Sequence, residues 1–144
     1  MKPINEMKMV LDGRSVTEGF ARTAVAAFAA QLDPTCEEIS DIKTAVSEAV
    51  TNCIVHAYPD KVGSIYITAQ LFDEGILRVR VRDRGIGIDD IKQAMTPLFT
   101  TSGGERAGLG FAVMESFMDR VRVSSALNRG TSVTMTKKIC GKSA

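Results

Sequence analysis

Three polar side chains recur at four-residue intervals in an otherwise apolar stretch, Glu48, Asn52 and His56 in Glu48-Ala-Val-Thr-Asn52-Cys-Ile-Val-His56. At about 100° per residue, positions four apart on an α-helix lie almost above one another. The three therefore form one stripe. Ile42, Val46, Ala49, Val50, Cys53 and Ala57 gather on the adjoining face, which must point toward the core. The stripe thus borders the interior, where a carboxylate and an amide cost free energy unless they find partners. A metal ion and a phosphate have the right chemistry. The amide oxygen of Asn52 suits a hard cation such as Mg²⁺, and Glu48, one turn away, can accept a proton from a serine hydroxyl or from water. His56 closes the helix, where a histidine is more often structural.

A second carboxylate stands out by parity. Leu77, Val79 and Val81 alternate with Arg78, Arg80 and Arg82, and Asp83 continues the inward set, so it faces apolar surroundings and needs a hydrogen-bond donor. An amino group on a flat ligand would serve. Gly85 and Gly87 follow in Asp83-x-Gly85-x-Gly87, and residues without a side chain allow a ring or phosphate close to the backbone. By itself the motif is also an ordinary strand-to-turn signal.

Residues 96–110, Thr-Pro-Leu-Phe-Thr-Thr-Ser-Gly-Gly-Glu-Arg-Ala-Gly-Leu-Gly, have the composition of a mobile loop. An amphipathic helix from Phe111 to Met118 is expected to follow, so Gly108-Leu109-Gly110 would set backbone amides at a helix N-terminus, a natural anion site. The functional reading is a lid feeding a phosphate cradle. Arg106 could neutralise a terminal phosphate there. The plain alternative is a long connection, which fifteen residues make less common.

The elements that must position these groups follow from period and punctuation. Met7, Met9 and Leu11 alternate with Lys8 and Val10 in a first strand over 5–12, near a sheet edge. Ser15-x-x-Glu18 predicts a capping box opening a helix to Leu32, and Thr35-x-x-Glu38 predicts another opening the helix that carries the stripe. Asp33-Pro34 breaks the first helix and Tyr58-Pro59-Asp60 closes the second. A hairpin of strands over 65–71 and 77–83 turns at Asp73-Glu-Gly75. Final strands near 121–126 and 131–138 are joined by Asn128-Arg-Gly130.

At 144 residues, with 44% apolar residues, 24% charged residues and net charge +1, the chain reads as one globular domain spanning 1–144. No dense basic patch is present to neutralise nucleic-acid phosphates, so direct nucleic-acid binding is not expected. The nearest candidate, Arg78/Arg80/Arg82, reads more simply as the outer side of a strand. No run of 18 apolar residues exists to span a membrane. Met1-Lys-Pro-Ile-Asn-Glu-Met lacks the features of a signal peptide, which predicts a cytoplasmic location. Cys36, Cys53 and Cys140 suit neither a disulfide framework nor a zinc site, with Cys53 a small core residue. Neither a P-loop nor a dinucleotide fingerprint nor a nucleophile elbow occurs.

The order of the segments carries a resemblance. Glu48-x-x-x-Asn52-x-x-x-His56, Asp83-x-Gly85-x-Gly87, Gly108-x-Gly110 and Gly130-Thr131 resemble the N, G1, G2 and G3 boxes of the GHKL ATPases, which include gyrase, Hsp90, MutL and histidine kinases. Within that superfamily the chain is similar to the small anti-sigma serine kinases, nearest the sporulation anti-sigma-F group. Ser47-Glu-Ala-Val-Thr-Asn52, Pro97-Leu-Phe-Thr-Thr101, Met114-Glu-Ser-Phe-Met-Asp119, Phe20-Ala-Arg22 and Gln31-Leu-Asp-Pro34 extend the likeness over nearly the whole chain. The segment Ser102-Gly-Gly-Glu-Arg106 departs from it, being shorter and richer in glycine than the family pattern.

The resemblance implies an α+β fold, a two-layer sandwich whose mixed, mostly antiparallel sheet is covered on one face by helices. It implies ATP or ADP with Mg²⁺ as ligand, a homodimer, a sigma factor of the sigma-F type held inactive, and a serine phosphorylated on an anti-anti-sigma protein. Glu48 would be the base, Asn52 the Mg²⁺ ligand and Asp83 the adenine reader. Gly85, Gly87, Thr100, Thr101, Gly108, Leu109 and Gly110 would line the nucleotide, Arg106 would meet the γ-phosphate, Thr131 would buttress the adenine end, and Arg22 would touch a partner. Other readings stay open: a nucleotide-gated sigma-binding module without kinase activity, the related stress-response anti-sigma kinase, and an unrelated α+β domain.

Overall fold

The computed structural model describes residues 2–58, 61–87 and 104–141, with the side chains of 104–109 outside that description. Five strands, β1 (Asn5–Asp12), β2 (Ser64–Phe72), β3 (Ile76–Asp83), β4 (Arg120–Ala126) and β5 (Gly130–Lys138), form one sheet in the order β1-β2-β3-β5-β4. All four pairings are antiparallel. Helices α1 (Ser15–Ala29), α2 (Cys36–Asn52) and α3 (Gly104–Phe117) complete the described α+β architecture.

Strand parity decides which face is covered. Ile65, Ile67 and Leu71 of β2 and Leu77, Val79 and Val81 of β3 are buried in one core with Ile42, Val46 and Val50 of α2 and Phe111 and Met114 of α3. The opposite face carries Lys8, Thr68, Arg78, Arg80, Arg120 and Arg122 around a shallow concavity. The arginines of β3 stand on this outer face as their alternation predicts. Arg78 lies over the Phe72 ring at 4.6 Å, while Arg82 and Arg84 flank Tyr66 at 5.9 and 4.8 Å.

The two expected capping boxes part company. At Thr35 the hydroxyl accepts from Glu38 N at 3.1 Å and the Glu38 carboxylate accepts from Thr35 N at 2.9 Å, as the pattern requires. At Ser15 no box forms: α1 is preceded by Arg14 without a side-chain cap. Glu18 is drawn instead toward Arg22, at 2.6 Å, and the Ser47 hydroxyl of α2. A charged partner and a neighbouring helix outcompete a local amide. The first helix also ends at Ala29 and passes into a 3₁₀ turn over Ala30–Leu32.

Glu38 ties the start of α2 to the end of the chain, because its carboxylate also accepts from Cys140 N at 2.7 Å and Gly141 N at 3.1 Å. Desolvation pushes this carboxyl up, but the amides of Thr35, Cys140 and Gly141, with the Thr35 hydroxyl, outweigh it and hold it below its ordinary value. A depressed carboxyl contributes stability above its unfolded pKa, about 4.3, and loses that contribution as pH falls through the folded value. Glu38→Gln is therefore expected to lower the urea midpoint at pH 7, with wild type and variant converging near pH 3. Parallel midpoints at both pH values would refute this role.

Candidate functional site

The polar stripe begins on regular helix and ends on something else. Glu48 and Asn52 lie in the last two turns of α2, and Cys53–Ala57 continue as a single π-helical turn. Such turns are rare and are frequent at functional sites when they occur. The widened turn carries Cys53 and Ala57 into the core and leaves His56 half-buried. Its last carbonyl, Ala57 O, accepts from Ile86 N at 3.0 Å, so the turn holds the loop that leaves β3.

Asn52 is the most informative side chain. Among the described residues its amide nitrogen and oxygen are both buried and both lack a hydrogen-bond partner. Leaving such a group unpaired costs about 1–3 kcal/mol. The neighbouring Gly110 of α3 closes over the same spot: a Cβ there would come within 3.1 Å of Glu48 Oε2 and 3.4 Å of both Asn52 amide atoms. Glu48, Asn52 and the α3 backbone therefore converge. An oxygen donor beside a carboxylate fits a hard cation, so the residues present suit Mg²⁺ and the phosphates it accompanies.

Asp83 anchors the other end. It is 5% exposed. Its Oδ1 accepts from Gly85 N at 2.9 Å and Thr131 N at 3.1 Å, while Oδ2 faces the Cys53 thiol at 3.6 Å. Desolvation raises its pKa, and the three donors, Gly85 N, Thr131 N and the thiol, work against that. Thr131 is steadied in turn by a 2.8 Å bond between its hydroxyl and that of Ser125. Parity alone pointed Asp83 inward; the donors come from three separate segments.

Gly85 and Gly87 are close to backbone, as expected, but it is the chain's own. A Cβ at Gly85 would lie 2.1 Å from Ala57 O, and one at Gly87, where φ is +78, 2.3 Å from Ala126 O. Their bare backbones let the loop pack between the π turn and the β4–β5 hairpin, where Asn128 N also donates to Ile86 O at 2.7 Å. The sequence reading missed Tyr58. Its hydroxyl donates to Ser64 O at 2.8 Å and accepts from Arg84 N at 2.7 Å. Gly63 makes room for its ring, since a Cβ there would fall 2.3 Å from the ring carbons. The Tyr-x-x-x-x-Gly spacing was the only available signal.

The glycine-rich segment is corrected in one respect. Helix α3 begins at Gly104 rather than Phe111, so Gly108, Leu109 and Gly110 lie in its second turn and not at its N-terminus. The carbonyls of the preceding turn already occupy amides there. Thr100 and Thr101 lie outside the described residues, as do the side chains of Arg106 and Leu109. Arg22 stands on the exposed side of α1, paired with Glu18, whose carboxylate also accepts from the Ser47 hydroxyl beside Glu48.

Residues 12–137 match the Histidine kinase-like ATPase domain family. The chain is 58% identical over 136 residues to the anti-sigma F factor of Caldanaerobacter subterraneus subsp. tengcongensis, covering 94% of each chain. The chain belongs to the anti-sigma F factor family. The corresponding factor of Geobacillus stearothermophilus is 50% identical over 139 residues, covering 96% of this chain and 95% of that one. A solved structure of the RsbU and RsbW domains of a Mycobacterium tuberculosis protein shares the fold, with a TM-score of 0.68 at 23% identity over 95% of this chain and 32% of that one. In this anti-sigma F family member no described helix is long and apolar enough to cross a membrane.

Proposed function

We propose that this chain, acting as a single domain over residues 1–144, is an ATP-dependent protein-serine kinase. It holds a sigma-F-type sigma factor inactive and phosphorylates a serine on the matching anti-anti-sigma protein, working as a cytoplasmic homodimer. The observation that carries the reading is the buried, unpaired amide of Asn52 beside Glu48 and under Gly110, at one end of a site whose other end is the pinned carboxylate of Asp83. The family supports it, since relatives alike over nearly their full length are named anti-sigma F factors.

Asn52 would hold Mg²⁺ through its amide oxygen, and the ion when bound supplies charge neutralisation on the phosphates. Asp83 would accept from the amino group of adenine, with Thr131 behind it. Gly85, Gly87, Thr100, Thr101, Gly108, Leu109 and Gly110 would line the nucleotide. In the transfer itself the substrate serine oxygen bonds to the γ-phosphorus, the bond from that phosphorus to the β–γ bridging oxygen breaks, and the serine proton passes to Glu48. ADP leaves, and Arg106 would offset charge on the moving phosphoryl group. Arg22, exposed on α1, would meet the protein partner.

The deciding experiment mixes the purified protein, Mg²⁺ and γ-labelled ATP with the antagonist protein. Label on one antagonist serine is expected, and none when that serine is changed to alanine. A nucleotide-gated binding module would instead bind ATP and the sigma factor while leaving the antagonist unlabelled.

A further inference from the structure

We infer that Cys53 is a specificity-determining positioning residue, whose thiol fixes Asp83 so that the site accepts a purine bearing an amino group and rejects one bearing a carbonyl at the same place. This rests on the reading of Asp83 as the purine contact. The carboxylate has two oxygens with about four acceptor directions. Oδ1 spends both of its own on Gly85 N and Thr131 N. Oδ2 receives the Cys53 thiol at 3.6 Å, which leaves a single acceptor direction. A ligand donor can meet it. A ligand carbonyl would set acceptor against acceptor.

The sulfur also fills space. Cys53 is 4% exposed, and together with Ala57 it forms the buried side of the π turn, with its own sulfur against Asp83. Its sulfur is placed to donate to Asp83 Oδ2. Without the sulfur, Oδ2 would have two open acceptor directions and room beside them. Water, which both donates and accepts, could then bridge the carboxylate to a purine carbonyl. Discrimination would fall even with Asp83 in place.

Calorimetry of the full chain with Mg²⁺ and either ATP or ITP tests this, because ITP differs by a carbonyl in place of the amino group. The wild type is expected to favour ATP by about a hundredfold or more, as sites built on a hydrogen bond do. Cys53→Ala is expected to reduce that ratio about five- to tenfold, within the scale of one ordinary net hydrogen bond, since a thiol is a weak donor. Cys53→Ser, whose hydroxyl still donates, is expected to keep it. Equal ratios in wild type and Cys53→Ala, with both affinities moving together, would reduce Cys53 to packing and overturn the inference. So would a Cys53→Ser ratio as low as that expected of alanine, which also covers the case of an alanine variant that does not fold. A wild type that binds ATP and ITP alike would instead remove Asp83 as the purine contact, and the role of Cys53 with it.

Discussion

Glu48→Ala is expected to lower the single-turnover rate of phosphoryl transfer to the antagonist protein by about 10²–10⁴-fold, the range attributed to a positioned general base. The affinity for ATP should change by no more than about threefold, because Asn52 and Asp83 would still hold the two ends of the nucleotide. This separation is what distinguishes a group acting in the transition state from one that merely binds. Glu48 sits half-buried one helical turn before Asn52, with its Oε2 beside the Gly110 backbone, so under the proposed function it would meet a serine approaching the phosphate end. Glu48→Gln keeps the shape and removes the charge. It should be as inactive as the alanine variant if proton acceptance matters, and near wild type if only packing does. Transfer at the wild-type rate in either variant would assign the base elsewhere.

How much of this was legible in the sequence depends on whether the signal was local. The four-residue spacing put Glu48 and Asn52 on one stripe, and the two-residue alternation put Asp83 on the buried side of β3; both are periodicities a single chain displays. The end of the stripe was not legible. A π turn over Cys53–Ala57 leaves no mark in a pattern of polar residues four apart, so His56 could not be placed from spacing alone. The glycines before Phe111 argue for loop there, because each glycine in a helix costs about 0.8–1 kcal/mol relative to alanine. The structure starts the helix at Gly104, and at Gly110 the missing side chain is what lets α3 approach Glu48 and Asn52. Packing against α2 overrides the propensity. The failed capping box at Ser15 has the same origin, since Glu18 found Arg22 and Ser47. The bond from Cys53 to Asp83 joins residues thirty apart, and only the fold brings them together.

Gly130→Ala should be the most damaging of the small substitutions, because it strikes conformation and space at once. The residue has φ of +97, and a Cβ there would lie 2.1 Å from Asp83 O, 2.7 Å from Arg84 Cα and 2.8 Å from Asp83 C. All three are backbone atoms, so no side-chain rotation relieves the overlap. A non-glycine residue in such a conformation costs about 1–3 kcal/mol before any clash. The total is expected to exceed about 3 kcal/mol, in the range that marks a specific structural failure rather than an ordinary substitution. The displaced neighbour is Asp83, whose Oδ1 accepts from Thr131 N immediately after the glycine. Nucleotide affinity should therefore fall further than the loss of stability explains at temperatures where the variant remains folded. Gly19 supplies the control: it lies within α1, and a Cβ there meets nothing within 4 Å. Gly19→Ala should raise the urea midpoint by the equivalent of about 0.5–1 kcal/mol and leave ATP binding unchanged. A Gly130→Ala protein with the wild-type urea midpoint and wild-type affinity would mean that the β4–β5 turn does not hold Asp83, and the purine end of the site would need a different anchor.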